Sequence, residues 1–302
     1  MLPPPPRPPP SAEIQRVRLK ADLLLLLAAA IWGFAFVAQR AGMAHLGPFT
    51  FNALRFGLGA LALLPFLTAA RRGGYRAALP GGAQAGLALF LGASLQQWGL
   101  VHTSAGKAGF ITGLYVIIVP VLGIGEGRRT GWGTWLGAAI AMAGLYLLSV
   151  RSDLRMDYGE LMVLGGALLW AMHVLIIARW TPHHDALVLA GQQFAVVALL
   201  SAAVALLLER GQRLDLAGAA LPVLYTGLLS TAVAFTLQVV AQREAPPAHA
   251  ALLLSLEAVF AALGGWWLLG ETLSRRGLAG CGLMLAGMLA SQLLGRPRRA
   301  GS

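Results

Sequence analysis

Ten apolar runs of about 20 residues each, separated by short polar loops, fill most of this 302-residue sequence. At 1.5 Å per residue a helix of that length crosses a hydrocarbon core about 30 Å thick. Lipid offers backbone N–H and C=O groups no partners, so each such run must satisfy them internally, as a helix does. The runs fall at 21–38, 48–69, 81–101, 106–125, 131–149, 158–178, 185–208, 216–240, 248–270 and 275–294. The fold they predict is all-α and integral to the membrane, with ten transmembrane helices and the lipid bilayer as main solvent. Composition agrees: 12% of residues are charged, against roughly 25% in an average soluble domain.

Several function classes are disfavoured at once. A net charge of +11 raises nucleic acid as a partner, but a nucleic-acid reader gathers its basic residues on one face with aromatics between them. Here they sit in short loops, so no nucleic-acid partner is expected. Cys281 is alone and inside an apolar run, which excludes a disulfide framework and fits a small packing residue. No G-x-x-x-x-G-K-[ST] loop is present to drive pumping with ATP, and no cofactor or metal is implied. His183-His184-Asp185 is the only local hint of an enzyme site. It lies in a short loop without a second cluster of ligands, and Asp185 equally serves as a helix cap. A channel would need rings of charges or carbonyls, and none is visible.

With all ten runs spanning and residues 1–20 in the cytoplasm, the cytoplasmic segments hold 14 Lys/Arg and the opposite side eight. The positive-inside rule then puts both termini in the cytoplasm. Residues 1–20 read as a disordered Pro-rich and basic tail and residues 295–302 as a second basic tail. Arg16, Arg18 and Lys20 before LLLLLAAA also suit a secretory signal. The apolar run continues through Trp32 and Phe36, however, and has a counterpart later in the chain, so cleavage is not expected.

That counterpart belongs to an internal repeat. At a shift of 138 residues LLAAAIWGFAF matches LGGALLWAMHV, setting Trp32 on Trp170 and Arg55-Phe56 on Gln193-Phe194. At shifts of 142 to 143, Gln96 falls on Gln238, Lys107 on His249, Tyr115 on Glu257, and Gly137 and Gly144 on Gly280 and Gly287. The halves are 21–150 and 158–294. Each holds five runs, an odd number, so the second copy enters the membrane in the opposite sense. This is an inverted-topology repeat, the basis of many secondary transporters, whose substrate sites lie near the midplane between the copies.

The sequence resembles the drug/metabolite transporter superfamily, specifically the EamA-type ten-helix exporters. WGFAFVAQRAG, GPFTFNALRF and AGFITGLYVIIVP in the first half, and LLSTAVAFTLQ, ALLLSLEAVFAALGGWWLLGETLS and LMLAGMLAS in the second, carry the resemblance over about residues 21–294. It implies a multi-pass protein of the bacterial inner membrane that exports small metabolites, often amino acids or related zwitterions and amines. A multidrug or cation exporter of the same fold is the alternative. The family commonly has proline after the glutamate of its S-L-E-P, where this chain has Ala258. Without a mid-helix proline to remove a backbone hydrogen bond, a straighter ninth helix is expected.

Arg55 and Glu257 lie deep in apolar runs, and intramembrane charge is rare enough to mark function. Arg55 stands about 10 Å below one end of its run and Glu257 about 13 Å above the other end of its own. Two long side chains can bridge the difference. A salt bridge locking the halves is therefore one expectation. The other is a site in which Arg55 takes a substrate carboxylate and Glu257 an amine or a coupling proton. Gln96, Gln193 and Gln238 are candidates to line the pathway, and Trp32, Trp170 and Tyr115 to wall it. Interhelical hydrogen bonding and packing are their bland alternatives. The expected partner is a small-molecule substrate. His173 is expected to bond a neighbour, and Lys107 and His249 to snorkel or to gate opposite faces.

Overall fold

The computed structural model describes residues 11–67, 72–103, 105–149, 157–212, 214–269 and 274–294. These form α1 (Ser11–Gly42), α2 (Pro48–Leu67), α3 (Arg72–His102), α4 (Ala105–Gly113), α5 (Tyr115–Gly125), α6 (Trp132–Ser149), α7 (Tyr158–Trp180), α8 (Ala186–Leu208), α9 (Leu216–Leu224), a π-helical segment Tyr225–Phe235, α10 (Thr236–Ala241), α11 (Pro247–Leu254), α12 (Glu257–Leu269) and α13 (Arg275–Leu294). No strand occurs among the described residues. Among the described residues eight helical stretches are long and apolar enough to cross a bilayer, and Trp132–Leu147 is a shorter apolar helix. Their outward faces carry leucines and tryptophans such as Leu221, Leu199 and Trp267, each more than 70% exposed. Such a surface suits lipid.

The principal packing runs between the two halves. α2 lies on α8, α3 on α7, α6 on α13, and α1 on α12 and the π-helical segment. Small residues permit the closest of these approaches. A Cβ on Gly137 would sit 2.6 Å from the Gly287 carbonyl oxygen, and one on Gly287 would sit 2.5 Å from that of Gly137. Gly144 meets the Gly280 carbonyl in the same way, at 2.6 Å. Since Gly137 and Gly144 are the repeat counterparts of Gly280 and Gly287, each contact is the other with the halves exchanged.

Cross-contacts sort the helix ends onto two faces. Arg40, near the end of α1, donates to the Leu100 and Val101 carbonyls near the end of α3, and His102 packs on Tyr158 at the start of α7. α2 begins just beyond α1, so it starts on this first face, where Glu209 from the end of α8 accepts the Phe49 and Thr50 amides at 2.8 Å. On the second face His249, in the first turn of α11, meets Asp22 of α1 at 2.8 Å. There also Trp180, closing α7, donates to Gln84 in the first half of α3.

Three features depart from the sequence expectations. α1 starts at Ser11, so residues 11–20 are helical and not a disordered tail. The stretch SAEIQRVRLK contains no Gly or Pro and several strong helix formers, and it extends the membrane helix outward. Residues 1–10 and 295–302 lie outside the described residues. Second, the ninth run is not straight: it breaks between α11 and α12 at Ser255 and Leu256. There the Ser255 hydroxyl donates to the Leu252 carbonyl at 2.8 Å, and the Leu256, Ala258 and Val259 amides turn back three residues instead of four. Back-bonding serines bend helices without a proline. Its counterpart, the fourth run, breaks likewise at Leu114, where the Leu114 and Ile117 amides make three-residue bonds. Third, an 11-residue π-helical stretch interrupts the eighth run. The π-helix is rare and concentrates at functional sites.

Candidate functional site

The two helix breaks place Tyr115 and Glu257, counterparts in the repeat, each as the first residue of a half-helix. Both line a cavity between the halves, together with Trp32, Arg55, Gln96, Trp170 and Gln238. Seven of the eight residues singled out from the sequence thus share one space. Gln193, the eighth, stands behind the wall. Its side-chain carbonyl lies 2.7 Å from Nε2 of His173, which does line the cavity.

Arg55 is 2% and Glu257 4% exposed, yet neither forms an ion pair among the described residues. This corrects the expected salt bridge. The Arg55 Nε donates to Asn52 Oδ1 at 2.9 Å, one helical turn earlier, and its guanidinium lies over the Phe56 ring, 4.7 Å from the centroid. Both partners belong to the helix that carries Arg55. Opposite it, the Tyr115 hydroxyl lies beside the Glu257 carboxylate, close enough for the two to act on each other but without a hydrogen bond of normal geometry. The Glu257 Oε1 is left with no partner.

The remaining polar groups divide into satisfied and unsatisfied. Gln96 accepts from the Trp170 indole at 2.9 Å and donates to Gln39 at 3.2 Å, tying α3 to α7 and α1. The Trp32 indole donates to the Ser230 carbonyl in the π-helical segment at 3.0 Å. Gln238 donates to Gln242 at 2.9 Å. Left without partners are Glu257 Oε1, the Tyr115 hydroxyl, His173 Nδ1 and Gln238 Oε1. Native interiors leave few such groups, and each needs an explanation. Four of them stand on residues lining one cavity.

Sequence reasoning passed over Phe235, Gln39, Thr112 and Ser230, all in the cavity wall. Phe235 ends the π-helical segment and organises the aromatic wall. It stacks on Trp170 with centroids 5.8 Å apart and rings 19° from parallel, and Trp32 leans on it at 4.6 Å. The cavity has a volume of about 40 Å³. At 10–15 Å³ per water that is room for about three waters.

Away from the cavity, the His183-His184-Asp185 loop does structural work. Asp185 caps α8 by accepting the Leu187 and Val188 amides, and His184 bonds the Trp180 carbonyl at 3.0 Å. No group of three or more potential metal ligands occurs among the described residues. His249 pairs with Asp22 and does not snorkel; the Lys107 side chain is outside the described set.

Comparison with known proteins follows this geometry. The model of the EamA-like transporter family matches the chain twice, over residues 19–150 and 157–291. An uncharacterized transporter from Archaeoglobus fulgidus is 31% identical over 288 residues, covering 91% of this chain and 87% of the relative. The uncharacterized transporter YwfM of Bacillus subtilis is 28% identical over 282 residues, covering 89% and 92%. A solved crystal structure superposes with a TM-score of 0.78 at 21% identity, over 91% of this chain and 97% of its own, which shows a shared fold.

Proposed function

The chain belongs to the EamA-like transporter family, a multi-pass membrane transporter, and on that premise we propose that it is a secondary carrier exporting a small zwitterion across the bacterial inner membrane by alternating access. One observation carries the substrate class: Arg55 and Glu257, opposite in sign and buried, line one cavity without pairing. A ligand bearing a carboxylate and an ammonium supplies each of them with a partner of opposite sign. Arg55 takes the carboxylate with its fork of donors, and Glu257 the ammonium.

The reciprocal glycine contacts of α6 and α13 support two inverted five-helix repeats, with those helices as the fifth and tenth spans. Helices broken at the cavity, as at Leu114 and Ser255, are where carriers of this architecture bind their substrates. The narrow cavity is then a closed state, which opens to one face at a time as the halves rock. Counting Lys and Arg in the loops puts the second face, with Asp22 and His249, in the cytoplasm.

The test starts from the extracellular metabolites of a deletion strain and an overexpressing strain. The zwitterion that changes most is then offered to purified protein in liposomes. Accumulation against its gradient, collapsing when the proton gradient is removed, is the expected result. Flux that only equilibrates the two sides contradicts the proposal.

A further inference from the structure

The cavity is graded along the membrane normal in a way that names the cation it accepts. Arg55 is seven residues into α2, so it lies about 10 Å from the first face. His173 is 15 residues into α7, which starts on that same face, and so lies about 22 Å from it. Glu257 and Tyr115, opening α12 and α5, occupy the middle. From the first face inward the wall therefore presents a donor-only group and then a series of groups that accept hydrogen bonds, of which the Tyr115 hydroxyl also donates.

Three acceptors in that series are unfilled. Glu257 Oε1 has no partner, nor has the oxygen of the Tyr115 hydroxyl. With the Gln193 carbonyl 2.7 Å from His173 Nε2, that nitrogen carries the proton and donates, so Nδ1 of the neutral ring is a bare acceptor, also unpartnered. A primary ammonium has three N–H donors and no acceptor. A quaternary ammonium or phosphonium has no donor and binds instead through open aromatic faces. Three rings of the wall, Trp32, Trp170 and Phe235, cover one another: Phe235 stacks on Trp170, Trp32 leans on it, and it also meets Phe56 and Phe194.

We infer that the site selects zwitterions with a free primary amine and rejects quaternary ammonium compounds and lipophilic cations, with His173 as a specificity-determining residue beside Glu257. This rests on the central cavity being the substrate site. A quaternary ligand of the same shape would leave the acceptors unpaired, and sites built on hydrogen bonds discriminate strongly against analogues that lack them. The inference also disfavours multidrug cation export.

Trp32 and Trp170 line the cavity and supply an intrinsic fluorescence signal. The full-length protein in detergent is titrated with the twenty standard amino acids, the N-trimethyl betaines of leucine and phenylalanine, tetraethylammonium and tetraphenylphosphonium. Thermal stabilisation is read in parallel. The expected result is binding by at least one free-amine compound, including leucine or phenylalanine, with its trimethyl counterpart at least 100-fold weaker. His173→Phe keeps an aromatic ring in the wall and should lower that ratio at least tenfold by weakening the free amine, whereas His173→Gln should retain most of it. Betaines or tetraphenylphosphonium binding within tenfold of the free amines overturn the inference. So does the absence of any free-amine binding at 10 mM. Failure of the underlying reading looks different: whichever compound binds, it then binds equally well to Arg55→Gln and Glu257→Gln.

Discussion

Arg55 and Glu257 face one cavity from opposite halves of the chain and do not form an ion pair with each other. A paired Arg and Glu would be a structural lock, and breaking it would cost about 3–5 kcal/mol. Without that pairing neither side chain locks the two halves together. Glu257→Gln and Arg55→Met should therefore leave the thermal unfolding midpoint in detergent unchanged or raise it, while reducing transport at least 100-fold. A fall of many degrees in both variants would restore the lock.

The α6–α13 contact predicts a loss of stability with no bearing on the cavity chemistry. A side chain at Gly137 or Gly287 must displace backbone, since the nearest atoms are carbonyl oxygens at 2.6 and 2.5 Å. Gly137→Val should destabilise by about 1–3 kcal/mol, the usual cost of overpacking. At Gly282, where a Cβ meets nothing within 4 Å, Ala should have little effect. Denaturation of the two variants side by side checks the difference.

The break in the ninth run makes Ser255 a lever on movement. Its hydroxyl bond to Leu252 is worth about 0.5–1.5 kcal/mol. Ser255→Ala should straighten the helix toward continuous four-residue bonding and slow turnover several-fold, with substrate affinity changed less. Transport rates at saturating and limiting substrate separate the two effects.

Outside the membrane, Asp215 caps α9. The Gly218 amide first, and His45 second, hold its carboxyl below the usual carboxylate range. A carboxyl with a depressed folded-state pKa stabilises the fold above its unfolded value of 3.8, and that support is lost as pH falls through the lower folded value. The difference in unfolding midpoint between wild type and Asp215→Ala should be constant from pH 5 to 7 and shrink below about pH 3.8. A difference that grows on acidification would contradict the cap.

Much of this site was legible because polar residues in apolar runs advertise themselves. Arg55, Glu257, Gln96, Gln238 and the paired Trp32 and Trp170 are conspicuous, and the repeat sets Tyr115 opposite Glu257. The rest depended on quantities that hydropathy does not carry. Phe235 looks like any core phenylalanine until the π-helical stretch fixes which way it turns. The ninth helix breaks without a proline because Ser255 bends the chain through its hydroxyl, a cause that hydropathy does not register. The Arg55–Glu257 pairing failed for a similar reason. Depth along two helices carries no information on the hold of Asn52 and the Phe56 ring on the guanidinium. Gln39 and Thr112 line the cavity through helix rotation, to which linear spacing is blind.

The most direct test is counterflow in liposomes containing equal amounts of wild type, Arg55→Gln and Glu257→Gln, using the zwitterion found by comparing strains. Exchange should be robust in the wild type and fall to background in both variants, each of which remains folded and inserted. Wild-type exchange rates in both would show that the substrate passes elsewhere, and the account built on this cavity would be wrong.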